Sequence, residues 1–185
     1  MSQRGYKTLL QFNDQWFRLG LLAETDLLAL GQRYDTSRDK NAEHYRYKVF
    51  RDYLAPHRPL PPPMAEALYK LGQVDPDPAM GGAMMSHIIG LPECPSDVLE
   101  KALASGEQHL IKLAGRKRLL AEFNSEPTAE VIARCLASQD VDIQRELLAT
   151  AKLSRNQLEQ LAKTGANRAV RNLATARLRF KHDAV

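Results

Sequence analysis

The side chains best suited to chemistry in this chain are the cations near its C-terminal end. Arg145, Lys152, Arg168, Arg171 and Arg179 are spaced so that neighbouring helices would line them up on one surface. A guanidinium offers a planar, two-pronged set of donors, so such a strip would take nucleic-acid phosphates or the carboxylates of an acidic partner segment. The opposing expectation is a solvated final helix whose cations complement the negative end of its own dipole. Residues 153–182 hold seven Arg or Lys against one acid, Glu159, although the whole chain has a net charge of only +4. The basic character is therefore concentrated at one end.

Other residue types give little support for catalysis. His44, His57, His87, His109 and His182 are scattered, and Ser86-His87 and Glu107-Gln-His109 lack a second carboxylate or a nucleophile elbow. Cys94, between Glu93 and Pro95, and Cys135, inside an apolar helical pattern, form no CxxC or paired-histidine spacing. No GxGxxG or phosphate-loop motif occurs. The sequence thus predicts no catalytic residue, no metal site and no cofactor.

Three further motifs carry two readings each. Tyr45-Arg-Tyr-Lys-Val-Phe-Arg-Asp-Tyr53 interleaves aromatics with cations as base-stacking proteins do. However, Tyr45 and Tyr47 fall about 200° apart on a helix, and Tyr47, Phe50 and Leu54 form a core-facing stripe instead. Arg58-Pro-Leu-Pro-Pro-Pro63 resembles a ligand for aromatic grooves, but folded flanks favour a rigid spacer. Met80, Met84 and Met85 beside Gly81-Gly82 point to close helix approach rather than an exposed methionine patch.

The elements that must position these residues are helices. The chain has 185 residues, 44% hydrophobic and 26% charged, an ordinary globular balance. Its longest apolar stretch, Ala79 to Pro92, is interrupted by Ser86, His87 and three glycines and is too short to span a bilayer. The first residues show no secretion signal, and two widely separated cysteines suit a reducing compartment, so a cytoplasmic location is expected.

Strand alternation and hairpin turns are absent from the pattern. Asp14 is placed to cap a helix carrying Trp16 and Phe17, Thr25 or Asp26 to open another that stops near Gly31, and Tyr34–Asn41 reads as a loop. A third helix covers roughly Ala42 to Leu54. Pro56–Pro63 should run as polyproline II, with helix resuming near Met64 and Pro78 starting a helix towards Ile89.

From Ser96 onward the chain reads as helical hairpins. Leu103-Ala leads to Leu113-Ala, Leu136-Ala to Leu148-Ala-Thr-Ala-Lys-Leu153, and Leu161-Ala to Leu173-Ala-Thr-Ala-Arg-Leu178. Each unit opens on a capping residue, at Ser96, Ser125 before Pro127, and Ser154 with Gln157 as a capping box. Each turns at a short polar link, at Ser105-Gly106, Ser138-Gln-Asp140 and Thr164-Gly165. In the last unit Val170, Leu173, Ala174 and Leu178 share a stripe. Arg177 falls inside it, so the helix is expected to end near Leu178.

Ser154-Arg-Asn-Gln-Leu-Glu-Gln-Leu-Ala followed by Arg168-Ala-Val-Arg-Asn-Leu-Ala174 resembles HEAT-like and leucine-rich-variant repeats. The likeness is closest over 154–178, looser over 127–153 and loosest over 96–119, roughly half the chain in all. The resemblance implies an all-α fold of helical-hairpin repeats stacked as a short α-solenoid, following an irregular N-terminal helical half. The break at Leu91-Pro-Glu-Cys-Pro-Ser96 divides the chain into 1–92, with its proline-rich break at 56–63, and 93–185. The resemblance also implies a binding protein. The iron–sulfur cysteines carried by some leucine-rich-variant proteins are missing. The expected function is a non-catalytic protein-interaction scaffold of bacterial type, binding an acidic protein through the repeat groove and its basic C-terminal face. The alternative is a nucleic-acid-binding repeat protein, and further off a repeat-fold enzyme of DNA repair.

Overall fold

The computed structural model describes residues 2–182, with side chains to Arg179. Among the described residues there are twelve helices and no strand, and 73% of these residues are helical. Contacts divide the chain into two compact units, Met1–Ala114 and Gly115–Val185. The division read from sequence at residue 92 and this one differ by one helical hairpin. Val98, Ala102, Leu110 and Ala114, grouped by sequence with the repeats, are buried in the core of the first unit.

The first unit contains α1 (Gln3–Leu9), α2 (Asp14–Arg18), α3 (Glu24–Thr36), α4 (Ala42–Leu54), α5 (Pro62–Gln73), α6 (Pro78–Gly90), α7 (Ser96–Leu103) and the start of α8 (Gln108–Ser125). Several ends differ from expectation, for physical reasons. Asn13 rather than Asp14 caps α2, its side chain accepting from the Gln15 amide. α3 does not stop at Gly31. That glycine is a notch for Tyr6, whose ring a Cβ would overlap. α5 starts at Pro62 rather than at Met64, because proline suits a first turn whose amides have no helical acceptor. Leu60 is buried, so the proline segment is anchored to the unit.

α5 and α6 approach each other closely at a pair of glycines. A Cβ on Gly72 would stand 2.9 Å from the Gly81 carbonyl oxygen, and one on Gly81 would overlap the Gly72 carbonyl oxygen. α6 has the N-terminus read from sequence, with Pro78 in the first turn and Asp77 accepting from the Met80 amide at 2.7 Å. Met80 and Met84 are buried and Met85 is half-buried.

Deep in this unit lies a fully buried Arg46. Its Nε and Nη2 donate to both oxygens of Asp75 at 3.0 and 2.8 Å, and its Nη1 donates to the Leu10 carbonyl at 3.0 Å and Gln11 Oε1 at 3.1 Å. Asp75 is also fully buried and takes the Asp77 amide. Burying both ions is tolerable because almost every polar atom is paired. The pattern on α4 is correspondingly shifted. Tyr45 and Arg46 are buried with Phe50 and Leu54, whereas Tyr47 is half-exposed.

The second unit contains the rest of α8 with α9 (Ala129–Ala137), α10 (Val141–Thr150), α11 (Arg155–Thr164) and α12 (Arg168–His182). Its core gathers Leu119, Phe123, Cys135, Leu136, Ile143, Leu147, Leu148, Leu158, Leu161, Val170 and Ala174. The Ser154–Gln157 capping box opens α11 as read. The cap of α9 is Thr128 rather than Ser125, which ends α8.

The near-identical segments Leu148–Leu153 and Leu173–Leu178 do not occupy equivalent places. The first straddles the end of α10, with Leu148 buried, while the second lies inside α12, with Leu173 44% exposed. What the two hairpins share is a pattern of caps: Thr128 and Ser154 accept from the Val131 and Gln157 amides, and Asp140 and Asn167 accept from those of Ile143 and Val170.

Candidate functional site

The C-terminal cations are positioned chiefly by α10 and α12. Asp140, itself nearly buried, caps α10 by accepting from the Asp142 and Ile143 amides at 3.0 and 3.3 Å. It also takes Arg116 Nε at 2.9 Å, and a second nitrogen of Arg116 reaches Asp142. The fully buried Gln144 spends both ends of its amide. It donates to the Leu136 carbonyl at 2.9 Å and accepts from the Ala166 amide at 2.8 Å. This single side chain ties the end of α9 to the turn before α12.

At the far end of α10 the last carbonyls lack helical donors. Arg177 supplies them, donating to the Leu148 carbonyl and, at 3.1 Å, to the Ala151 carbonyl. This corrects the expectation that Arg177 ends its helix. α12 continues to His182, and the guanidinium lying in its apolar stripe finds carbonyl acceptors at the end of a neighbouring helix.

Beside this cap α10 and α12 enclose a shallow concavity of about 480 Å³, lined by Asp142, Arg145, Glu146, Leu148, Ala149, Leu173 and Arg177. Its apolar part is Leu173, the one large aliphatic side chain of this unit with substantial exposure among the described residues. Its cations are Arg145, exposed on α10, and the stem of Arg177. Asp142 is engaged by Arg116, which leaves Glu146 as the second acid.

The five expected binding residues are not brought onto one strip. Arg145 lines the concavity. Lys152 lies exposed in the link between α10 and α11. Arg171 is half-buried and donates to the Gly165 carbonyl at 2.8 Å, bracing the turn before α12. Arg168 and Arg179 are exposed. At about 100° per residue they share a face of α12 roughly 120–140° away from Leu173. Leu173 and Arg177 were not singled out as site residues from sequence. The available signal was an arginine inside an apolar stripe, which marks a buried acceptor nearby.

The remaining histidines and cysteines among the described residues are taken up in local contacts. His44 is paired with Asp39 at 2.8 Å, a contact that raises the imidazole pKa, while the Asn41 amide and then His44 lower that of the Asp39 carboxyl. His57 stacks on Tyr53, His87 and Phe50 form a T-shaped pair, and the ring of His109 lies near Gly82. The side chain of His182 lies outside the described residues. Cys135 is buried, and burial pushes its thiol pKa up, away from the reactive thiolate. Among the described residues no three His, Cys, Asp or Glu converge as metal ligands would. No described helix is long and apolar enough to cross a membrane.

No family model matches the chain, and neither a curated protein nor a solved structure matches it.

Proposed function

We propose that the chain is a non-catalytic interaction scaffold. In this reading the hairpins α9–α10 and α11–α12 stack in the manner of a short α-solenoid, and the concavity between α10 and α12 seats an acidic partner segment with an apolar anchor. The observation that carries this reading is Leu173, 44% exposed in a concavity of about 480 Å³ that Arg145 lines together with Asp142, Glu146 and the stem of Arg177. An exposed leucine in a concave, partly charged setting suits a small hot spot, with an apolar contact at the centre and charges at the rim for orientation. The caps that the two hairpins share, Thr128 with Ser154 and Asp140 with Asn167, support the stacked-hairpin reading, as does the bridging amide of Gln144. The protein partner is favoured over nucleic acid because Arg171 and Arg177 are committed to backbone carbonyls and are not free to track phosphates.

Selection of a random peptide display library on the full chain tests the proposal. Enriched peptides should carry a bulky apolar residue flanked by Asp or Glu. They should lose at least about ten-fold in affinity, about 1.4 kcal/mol, on Leu173→Asp and on Arg145→Glu. Arg168→Glu with Arg179→Glu, on a different face of α12, should leave their affinity within about three-fold, well under that step. Peptides that bind Leu173→Asp as tightly as the parent would overturn the site. Salt-sensitive binding of a nucleic-acid duplex that Arg168→Glu and Arg179→Glu abolish would replace the proposal with the phosphate-binding alternative.

A further inference from the structure

We infer that the outer face of α3 pairs with the same face of a second copy of this chain, the two helices running antiparallel about a two-fold axis between Ala29 and Leu30. Asp26, Ala29, Leu30 and Arg33 stand at i, i+3, i+4 and i+7, which puts them on one side of a helix. The core side of α3 carries Leu27 and Gly31, with Tyr34 edge-on to Tyr45, and leaves this face outside. Asp26, Ala29 and Arg33 are exposed and Leu30 is half-buried. All four line a concavity of about 440 Å³ between α3 and α4, whose apolar lining continues through Leu22, Val49 and Tyr53. Stacking of Tyr53 on His57, with ring centroids 4.3 Å apart, holds the aromatic wall in place. A smaller hollow shares Leu30 and Arg33 with this one, so the groove runs on along α3.

The charges say what fits it. Other ions along the groove are paired within the chain, Lys48 with Asp52 at 2.6 Å and His44 with Asp39 at 2.8 Å. The side chains of Asp26 and Arg33 make no ion pair with any described residue. They are about 10 Å apart along the axis, beyond the i, i+4 reach of an ion pair on one helix. A second copy laid antiparallel brings Asp26 of each chain against Arg33 of the other, twice, with Ala29 against Leu30 between them. The face is its own complement, as a two-fold interface requires. A wholly acidic or wholly basic segment would instead set a like charge against Asp26 or Arg33.

Shape and dipole agree with the charges. Ala29 is small enough to let the two helices approach, and Leu30 of each copy enters the hollow beside Ala29 of the other. Asp26 lies in the first turn of α3 and Arg33 in its last. Antiparallel pairing therefore sets the positive end of each helix beside the negative end of its mate. This surface belongs to the first unit and shares no residue with the concavity lined by Arg145 and Leu173.

Sedimentation equilibrium of the full chain, in a concentration series to about 500 µM, tests the pairing in the range of weak interfaces that bury under about 1,200 Å². The expected mass rises towards twice the 20.8 kDa of one chain. Arg33→Asp and Asp26→Arg each set like charges together twice, and each alone should weaken self-association at least about ten-fold. The two single variants, mixed in equal amounts, should associate with each other to within about three-fold of the parent, because both contacts are then opposite in charge. Both substitutions on one chain should restore self-association in the same way. The two positions are exposed, and fluorescence of the buried Trp16 checks that every variant is folded. A chain that keeps the monomer mass throughout the series overturns the pairing and leaves the groove to a different protein. A dimer that neither reversal weakens, or single variants that fail to associate on mixing, overturns it equally.

Discussion

Arg46→Met is the substitution with the most clearly defined cost. Methionine keeps most of the buried stem but removes the guanidinium that serves Asp75, the Leu10 carbonyl and Gln11. Asp75 would keep only the Asp77 amide while remaining fully buried. Removing one partner of a buried pair costs about 3–5 kcal/mol, because the other charge is left without compensation. At a urea slope of about 2 kcal/mol per M, a loss of about 4 kcal/mol moves the midpoint down by about 2 M. The chain has one tryptophan, and Trp16 is buried against Phe12 in the same unit. Its fluorescence therefore follows unfolding of the first unit in particular. Asp75→Asn in the Arg46→Met background should cost less than the two single substitutions added, by about 1–3 kcal/mol, because the two side chains act as one pair. A fluorescence midpoint within about 0.5 M of the parent, equivalent to about 1 kcal/mol, would refute the assignment of Arg46 as an electrostatic hub.

Two further stability measurements probe other contacts. Gly81→Ala places a Cβ on the Gly72 carbonyl and should destabilise by about 1–3 kcal/mol or more in urea unfolding, whereas Gly90→Ala on the same helix meets nothing within 4 Å and should be neutral or stabilising by about 0.5–1 kcal/mol. Equal effects of the two would remove the close-contact explanation. Glu66 is held by hydrogen bonds from Lys101 and then Lys70, which bring its pKa down from 4.5 to about 2. A lowered folded pKa adds stability above the unfolded value, and that stability is lost as pH falls from about 4.5 towards 2. The stability gap between the parent and Glu66→Gln should therefore be open at pH 6 and shrink on acidification through this window. A gap independent of pH would show that these ion pairs contribute nothing.

The all-helical character was legible because helical periodicity and capping are local. Ser154 and Gln157 lie three residues apart, and Asp77-Pro78 announces a helix start within two residues. What sequence could not supply were reasons lying far along the chain. Gly31 reads as a helix stop until Tyr6 is brought against it. Arg46 reads only as one of several cations among the aromatics of its helix until Asp75, 29 residues away, meets it. The repeated Leu-Ala-Thr-Ala text exaggerated the regularity of the last two hairpins, since burial of Leu148 and exposure of Leu173 depend on what packs beside each. The candidate site was half visible. Arg145 was read as a cation of interest, but Arg171 and Arg177 are committed to carbonyls that only the folded chain presents.

The meeting of Gly72 and Gly81 also has a kinetic consequence. At this crossing main chain meets main chain, with Met84 and Met85 packed beside it, so water gains little access by a rotamer change alone. Exposing the amides near this crossing requires the two backbones to separate, and the buried Tyr69, Leu71, Met84 and Ile88 around them must be exposed together. Opening of this kind belongs to the unit as a whole rather than to one helix. In deuterium exchange, the amides around Gly72 and Gly81 should be the last of the first unit to trade their protons.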